Sequence, residues 1–282
     1  MKVAVMTDST AYIPKEMRDE YGIHMVPLSV VFGDEVYREE IEITVDEFYR
    51  KVKESEDLPT TSQPTVGDVV KKLEELVEAG YEAVVSVHIS SELSGTYHAV
   101  ASAGNMVDGI KVYAFDSQYS CMPQGFMAIK AVELVRQGKS PEEILKELEK
   151  LKERIRAYFI VDDLSHLQRG GRLTSAQALV GSLLKVKPIL HIVEGKIVPF
   201  EKIRTRKKAL ARVMDMLYED AESKEIEKVV FIHGNEEEAA LELRDEFAKK
   251  YPDIETSISY FGPVIGTHVG EDSLGVSWYT KE

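Results

Sequence analysis

The sequence has a single cysteine, Cys121, no long apolar run and comparatively few basic residues. One cysteine excludes an internal disulfide, and no apolar stretch approaches the roughly 18 residues of a membrane span. The 35 lysines and arginines are outnumbered by 49 aspartates and glutamates, which gives a net charge of -14. Such a surface repels nucleic acid and anionic membranes, so we expect no nucleic-acid partner and only transient membrane contact, if any.

Several common ligand-binding and catalytic motifs are also missing. The chain has no G-x-G-x-x-G, no G-x-S-x-G, no C-x-x-C and no H-E-x-x-H, which argues against the chemistries that those motifs carry. Gly138-Lys139-Ser140 resembles the end of a P-loop, but Glu133 stands where that loop needs glycine. We therefore expect neither a cofactor nor a metal site.

The amino-terminal stretch "MKVAVMTDST" follows a strand pattern instead of a signal-peptide pattern. Together with the lone cysteine, this predicts a cytoplasmic protein. A chain of 282 residues with 44% hydrophobic content has room for two modest cores, so we expect two domains.

The first half alternates β-branched apolar runs with segments that carry helix-capping residues, an order that predicts a parallel sheet covered on both faces. Thr65 and Ser140 are the clearest predicted helix caps. The strand candidates are residues 2–6, 25–32, 83–89 and 111–116. We expect an N-terminal α/β/α domain over residues 1–156.

The second half contains six strand candidates and two helix candidates, residues 206–222 and 236–250. A Glu194-Gly195 pair between two of the strands favours a hairpin. We therefore expect an α+β domain over residues 157–282, with a mostly antiparallel six-stranded sheet.

The segment "SSELSGTYHAV" follows a buried strand pattern and leads into a helix pattern. Ligands of open α/β sheets bind at such turns, where N–H groups of the next helix point at an anion. Ser94, Gly95 and Thr96 offer hydroxyls and close backbone approach without a lysine, which suits one negative charge, or a neutral acid, better than a triphosphate. The alternative is that Ser94 only caps the helix.

Three further places carry candidate ligand groups. In "LPTTSQPTV", Thr61 and Ser62 have no local role once Thr65 is taken as a helix cap. His268 lies in a glycine-rich stretch between two predicted strands, where a loop position favours ligand contact and a structural role is the alternative. Arg169 and Arg172 bracket two glycines ahead of Thr174, a predicted helix cap; a solvated turn is the alternative for both arginines.

Taken in order, the motifs "TDST", "TTSQP", "SSELSGTY", "RGGR" and "THVG" resemble those of the DegV family. These are fatty-acid-binding proteins that include the FakB subunit of bacterial fatty acid kinase. The resemblance covers nearly the whole chain. It implies a two-domain α/β protein with the acyl chain buried between or within the domains.

The resemblance also implies roles for particular residues. Thr61 and Ser94 match the carboxylate-binding threonine and serine of the family, and His268 matches its ligand-side histidine. Arg169 and Arg172 match the arginines near the surface shown to the kinase. Where the family commonly continues "THVG" with proline and glycine, this chain has Glu271, Asp272 and Ser273. Two acids there either raise the pKa of His268 or lie in solvent.

The sequence thus predicts a carrier without catalytic activity of its own. It would bind a long-chain fatty acid by Ser/Thr hydroxyls and present it to the catalytic subunit of a fatty acid kinase. One alternative is a serine hydrolase acting on acyl esters, with Ser94 as nucleophile, His268 as base and Asp8 or Asp116 as the supporting acid. The other is a regulatory protein that senses an acyl ligand.

Overall fold

The computed structural model describes residues 1–55, 57–173 and 187–281, which form two compact units. The first unit contains residues 1–44 and 59–153, and the second contains residues 45–58 together with the chain from residue 154 onward. The sequence did not predict that residues 45–58 group with the later part of the chain. The assignment of residues 1–156 and 157–282 as separate domains stays a prediction.

Helices and strands alternate along most of the chain, both up to residue 154 and beyond it. The earlier elements are β1 (Val3–Asp8), a short 3-10 helix (Ser9–Ala11), α1 (Lys15–Tyr21), β2 (Ile23–Val26), β3 (Ser29–Phe32), β4 (Glu35–Arg38), α2 (Val45–Glu54), β5 (Thr60–Ser62), α3 (Val66–Glu78), β6 (Ala83–His88), α4 (Thr96–Gly104), β7 (Lys111–Asp116), α5 (Cys121–Arg136) and α6 (Pro141–Arg154). The later elements are β8 (Ile155–Ile160), α7 (Ser165–Arg169), β9 (Ile189–Val193), β10 (Lys196–Glu201), α8 (Arg206–Ser223), β11 (Ile226–His233), α9 (Glu237–Lys250), β12 (Glu255–Tyr260), α10 (Pro263–Val269) and β13 (Leu274–Thr280). Within the described ranges, every helix is too short or too polar to cross a membrane.

The first unit is built on a parallel sheet with the strand order β2-β1-β6-β7. Every residue of the central strand β6 is buried, as its run of β-branched residues predicts. On one face, Leu73 of α3 and Val100 of α4 pack with Val84 of β6. On the other, Gln124 of α5 donates to Thr7 of β1 over 3.0 Å. The predicted parallel sheet covered on both faces is confirmed.

A second, three-stranded antiparallel sheet in this unit, with the order β4-β3-β5, was not predicted. The prediction of one strand over residues 25–32 is wrong. Pro27 lies between β2 and β3, and its missing N–H and fixed φ end the first strand. Gly33, with φ +57°, then opens the two-residue turn into β4, a position that favours glycine.

The predicted helix starts of this unit are confirmed by their hydrogen bonds. The Asp68 N–H donates to Thr65 Oγ1 over 3.1 Å at the start of α3. At α6, the Glu143 N–H donates to Ser140 Oγ over 3.3 Å, and the Ser140 N–H donates to Glu143 Oε2 over 2.8 Å. This reciprocal pair satisfies two N–H groups that an open helix end leaves exposed.

The second unit is built on a six-stranded sheet with the order β10-β9-β8-β13-β11-β12. All neighbouring pairs are antiparallel except β11 and β12, so the predicted mostly antiparallel sheet is confirmed. Glu194 and Gly195 form the β9–β10 turn, with φ +49° and +79°. Trp278 lies in the core, and its indole N–H donates to Asp220 Oδ2 over 2.9 Å.

Candidate functional site

The turn from β6 into α4 carries three of the predicted site residues. Ser94 and Gly95 precede α4, and Thr96 is its first residue. The hydroxyls of Ser94 and Thr96 lie 2.9 Å apart, and the Thr96 N–H points at Ser94 Oγ over 3.4 Å. Thr96 is fully buried while Ser94 is half-buried. The structure therefore places two hydroxyls together at the carboxyl end of the sheet, as the sequence predicts.

Thr61 and Ser62 belong to the short strand β5 in the same unit. They pair with Val30 and Ser29 of β3, so this segment is part of a sheet and not only an approach to α3. Thr61 is half-buried and Ser62 is exposed. The next residue, Gln63, lies over Gly95, where the amide oxygen occupies the space that a Cβ would need. Gln63 thus joins the two predicted segments, a contact that the sequence did not reveal.

This arrangement has the chemistry of a carboxyl-binding site. Hydroxyls donate to a carboxylate or accept from a neutral acid, and the first N–H groups of α4 add donors and a positive dipole end. A buried carboxylate needs several such donors, because its removal from water is costly. A triphosphate would require more positive charge than the turn offers.

His268 lies in the second unit, on helix α10, so the prediction that it occupies a loop is wrong. The helix begins at Pro263 after Gly262, and a proline in the first helical position is a recognised start signal. All seven residues of α10 are buried. The histidine is therefore held by packed backbone and not by a mobile segment.

Two basic neighbours and burial determine the protonation of His268. Burial, followed by the charges of Arg172 and His166, lowers the pKa of His268 to about 4. At neutral pH the ring is then uncharged, with one N–H donor and one acceptor nitrogen. His166, which sequence reasoning missed, lies against Gly270 and forms a hydrogen bond with the backbone of Thr267.

Gly170 explains why the "RGGR" turn comes close to this histidine. A Cβ on Gly170 would run into His268 Nδ1 and would lie 2.9 Å from its Cε1. Only glycine lets the turn approach the ring this closely without displacing it.

Glu271 and Asp272, the acidic residues after His268, do not raise the pKa of that histidine. Glu271 accepts from Lys53 Nζ over 2.7 Å and from Asn235 Nδ2 over 2.6 Å. Burial, then the charges of Glu236 and Glu271, raises the pKa of Asp272. Because the pKa of His268 is lowered, the suggestion that these acids raise it is wrong.

The two arginines of the "RGGR" turn differ in their surroundings. Arg169 ends α7 and is exposed, with its guanidinium 3.4 Å from Ser165 O. Arg172 is half-buried and donates to Gly170 O, and burial lowers the pKa of its guanidinium. Arg169 is thus exposed and Arg172 is partly buried, and the placement of both arginines at a partner surface stays a prediction. The predicted helix start at Thr174 lies outside the described residues.

The hydrolase alternative requires Asp8 or Asp116 as its supporting acid, and both accept hydrogen bonds from other residues of the first unit. Asp8 accepts from His88 Nδ1 and from the Ile89 N–H, both over 2.9 Å. Asp116 accepts from the Ser91 hydroxyl over 2.5 Å and from the Gln118 N–H over 2.9 Å. Within the part of the chain that the structure describes, no group of three or more His, Cys, Asp or Glu side chains is placed to hold a metal ion.

Comparison with known proteins identifies relatives along the whole chain. The model of a family described as "Uncharacterised protein, DegV family" matches residues 2–281. Protein DegV of Bacillus subtilis is 57% identical over 282 residues, with 100% of both chains covered. Its crystal structure, described as that of a fatty acid binding protein, superimposes with a TM-score of 0.95 over 100% of both chains.

Two more distant solved structures have the same fold. A DegV family protein from Thermus thermophilus, described by its fatty acid binding, is 34% identical with a TM-score of 0.91 and 100% of both chains covered. A stearic acid-binding protein from Eubacterium ventriosum is 27% identical, with a TM-score of 0.87 over 100% of this chain and 99% of its own. The full-length match and the high identity leave one assignment: this chain is a member of the DegV family.

Proposed function

We propose that this protein binds a long-chain fatty acid and holds its carboxyl group with the hydroxyls of the β6–α4 turn. The observation that carries the proposal is the 57% identity, over the full length, to a protein described as fatty acid binding. The paired hydroxyls of Ser94 and Thr96, 2.9 Å apart, are suited to this head group. Thr61, Ser62 and Gly95 complete the proposed carboxyl-binding set in the same unit.

Most of the affinity would come from the acyl chain. Burial of each CH₂ contributes about 0.8 kcal/mol, so a dozen methylenes supply on the order of 10 kcal/mol before ordering costs are subtracted. The carboxyl contacts then mainly set the orientation of the ligand. His268, which the family resemblance places on the ligand side, would act as a neutral donor. That role stays a prediction.

The purified protein is expected to carry fatty acid, because a pocket that buries a long chain holds it through purification. Denaturing extraction and mass spectrometry should find close to one fatty acid per chain, with roughly 14 to 18 carbons, a range implied by the family resemblance and by the affinity that chain burial gives. Added palmitate should raise the melting temperature of delipidated protein by mass action. An extract without lipid, together with an unchanged melting temperature, would contradict the proposal.

We further propose that the bound acid is presented to the catalytic subunit of a fatty acid kinase for acyl-phosphate formation, and that this protein is a cytoplasmic carrier without its own catalysis. The exposed Arg169 is the better candidate for the partner surface, since a guanidinium matches phosphate and carboxylate geometry. Arg172, half-buried beside His268, is proposed to belong to that surface as a more buried residue.

Arg169→Ala is expected to leave fatty acid content unchanged, since exposed substitutions usually shift stability by only about 0.5 kcal/mol. Acyl-phosphate production with the cognate kinase should fall, and added salt should reproduce part of that loss in the wild type. The exposed Arg204 in the same unit provides the matched control, Arg204→Ala. Equal rates for both variants would remove Arg169 from the partner surface.

A further inference from the structure

Two carboxylates from neighbouring strands hold the start of the turn that carries Ser94. Strand β6 lies between β1 and β7, and Asp8 and Asp116 are the last residues of those two strands. Asp8 Oδ2 accepts from the Ile89 N–H over 2.9 Å. Asp116 Oδ1 accepts from the Ser91 N–H over 3.2 Å. Hydrogen bonds to both neighbouring strands thus hold the chain within three residues of the end of β6.

Backbone hydrogen bonds of Ser90 connect residues 89–91 to Ser94. The Ser90 N–H donates to Tyr119 O over 2.8 Å, and the N–H groups of Leu93 and Ser94 both donate to Ser90 O over 3.0 Å. Ser90 is itself fully buried. A displacement of residues 89–91 is therefore passed directly to Ser94.

The Asp8 side of this arrangement is rigid. Asp8, Thr10, Ser86 and His88 are all fully buried. Asp8 Oδ1 accepts from the Thr10 hydroxyl over 2.5 Å, while His88 bonds Asp8 through Nδ1 and Ser86 through Nε2. Burial opposes the charge on Asp8, but the bonds from His88, Thr10 and Ile89 outweigh it and lower the pKa of the carboxyl. A buried carboxylate satisfied in this way does not move without breaking several bonds at once.

The Asp116 side is more accessible and can be tested by substitution. Asp116 and Ser91 are half-buried, and Asp116 Oδ2 accepts from the Ser91 hydroxyl over 2.5 Å. Asp116 also forms a local turn, because its Oδ1 accepts from the Gln118 N–H over 2.9 Å. The local turn requires only the bond from Gln118, so the two bonds from Ser91 give Asp116 a second role.

We propose that Asp8 and Asp116 are positioning residues that fix the Ser94 hydroxyl for recognition of the ligand's head group. This inference rests on the proposed fatty acid binding. Hydrogen bonds weaken steeply with angle and distance, so a hydroxyl must be held closely in place to discriminate a carboxyl group. Neither aspartate touches the ligand in this scheme; Asp8 acts through the Ile89 N–H, and Asp116 acts through both the N–H and the hydroxyl of Ser91.

The experiment compares the affinities of delipidated variants for palmitate and for hexadecanol, which has a chain of the same length and an uncharged head. Asp116→Ala should weaken palmitate binding about three- to tenfold, the range that loss of one hydrogen bond produces, and hexadecanol binding much less. Asp116→Asn keeps an acceptor oxygen and should recover most of the preference for the acid. Asp108→Ala, at an exposed position after α4 in the same unit, is the matched control.

Ser91→Ala removes only the hydroxyl that binds Asp116, so it decides the question if Asp116→Ala does not fold. Its preference for palmitate over hexadecanol should also fall, while its melting temperature without ligand stays near that of the control. Equal losses for acid and alcohol, or an unchanged preference in both variants, would overturn the inference and leave fatty acid binding intact. A wild-type protein that binds neither ligand would overturn the proposed function and, with it, this inference.

Discussion

As the pH falls from about 6.5 to 4, the protein is expected to lose up to roughly 3 kcal/mol of stability through His268 alone. The pKa of His268 is lowered from 6.5 to about 4 in the folded state, whereas the unfolded chain keeps the ordinary value. Between these pH values His268 is protonated in the unfolded state and neutral in the folded state, so stability decreases as the pH falls. Each pKa unit corresponds to about 1.4 kcal/mol, which gives the stated magnitude.

Urea denaturation of the wild type and of His268→Asn at several pH values between 4 and 7 measures this effect. Burial also lowers the pKa of other histidines, such as His191, and these contribute to the pH dependence of stability, so the difference between the two proteins is the relevant quantity. His98→Asn, at an exposed position, is the control. Arg172→Gln should shrink the effect, because the charge of Arg172 contributes to the lowered pKa. Parallel pH curves for wild type and His268→Asn would contradict the prediction.

Ser94→Ala and Thr61→Ala are each expected to weaken fatty acid binding by about 1 to 3 kcal/mol, because a buried carboxyl group loses a donor. Ser94→Ala also removes the hydroxyl that lies 2.9 Å from Thr96 Oγ1, so it should have the larger effect. Fatty alcohols should respond less to either change. The affinity for palmitate and for hexadecanol, measured by displacement of a fluorescent fatty acid, tests both statements.

Ser102→Ala, at an exposed position of α4, the helix that follows Ser94, is the control. Losses of equal size for the acid and the alcohol would mean that Ser94 and Thr61 shape the pocket without recognising the charge. A double variant whose loss is smaller than the two single losses together would indicate that both hydroxyls act on one group.

The fold was predictable wherever a local pattern is sufficient. The run 83–88 is apolar throughout most of its length and is the buried central strand β6, and Ser140 with Glu143 marks the start of α6. The apolar run around Pro27 predicts one strand by composition alone, but the proline divides it into two strands that join different sheets. Likewise the Gly262-Pro263 start of α10 was hidden by the surrounding glycines.

The residue types of the candidate site were predictable, but the tertiary contacts that hold those residues in place were not. A strand followed by "SSELSGTY" indicates a ligand-binding turn, and the structure places Ser94 and Thr96 there. The contact of Gln63 with Gly95 and the bonds of Asp116 to Ser91 join residues far apart in the chain. Spacing along a single sequence carries no signal for such pairs. The burial that lowers the pKa of His268 likewise depends on tertiary packing.

The placement of α2 restricts how this protein can be taken apart or recombined. Phe48 and Tyr49 are buried, and the Tyr49 hydroxyl donates to Phe261 O over 2.9 Å, so α2 depends on chain that follows more than 200 residues later. A gene fragment that stops near residue 154 would encode α2 without the residues that cover it and would leave two aromatic side chains facing water. A single genetic crossover therefore cannot exchange the second unit intact, since its sequence is interrupted by residues 59–153. Divergence within such a chain is expected to proceed by point substitution more readily than by shuffling of its two halves.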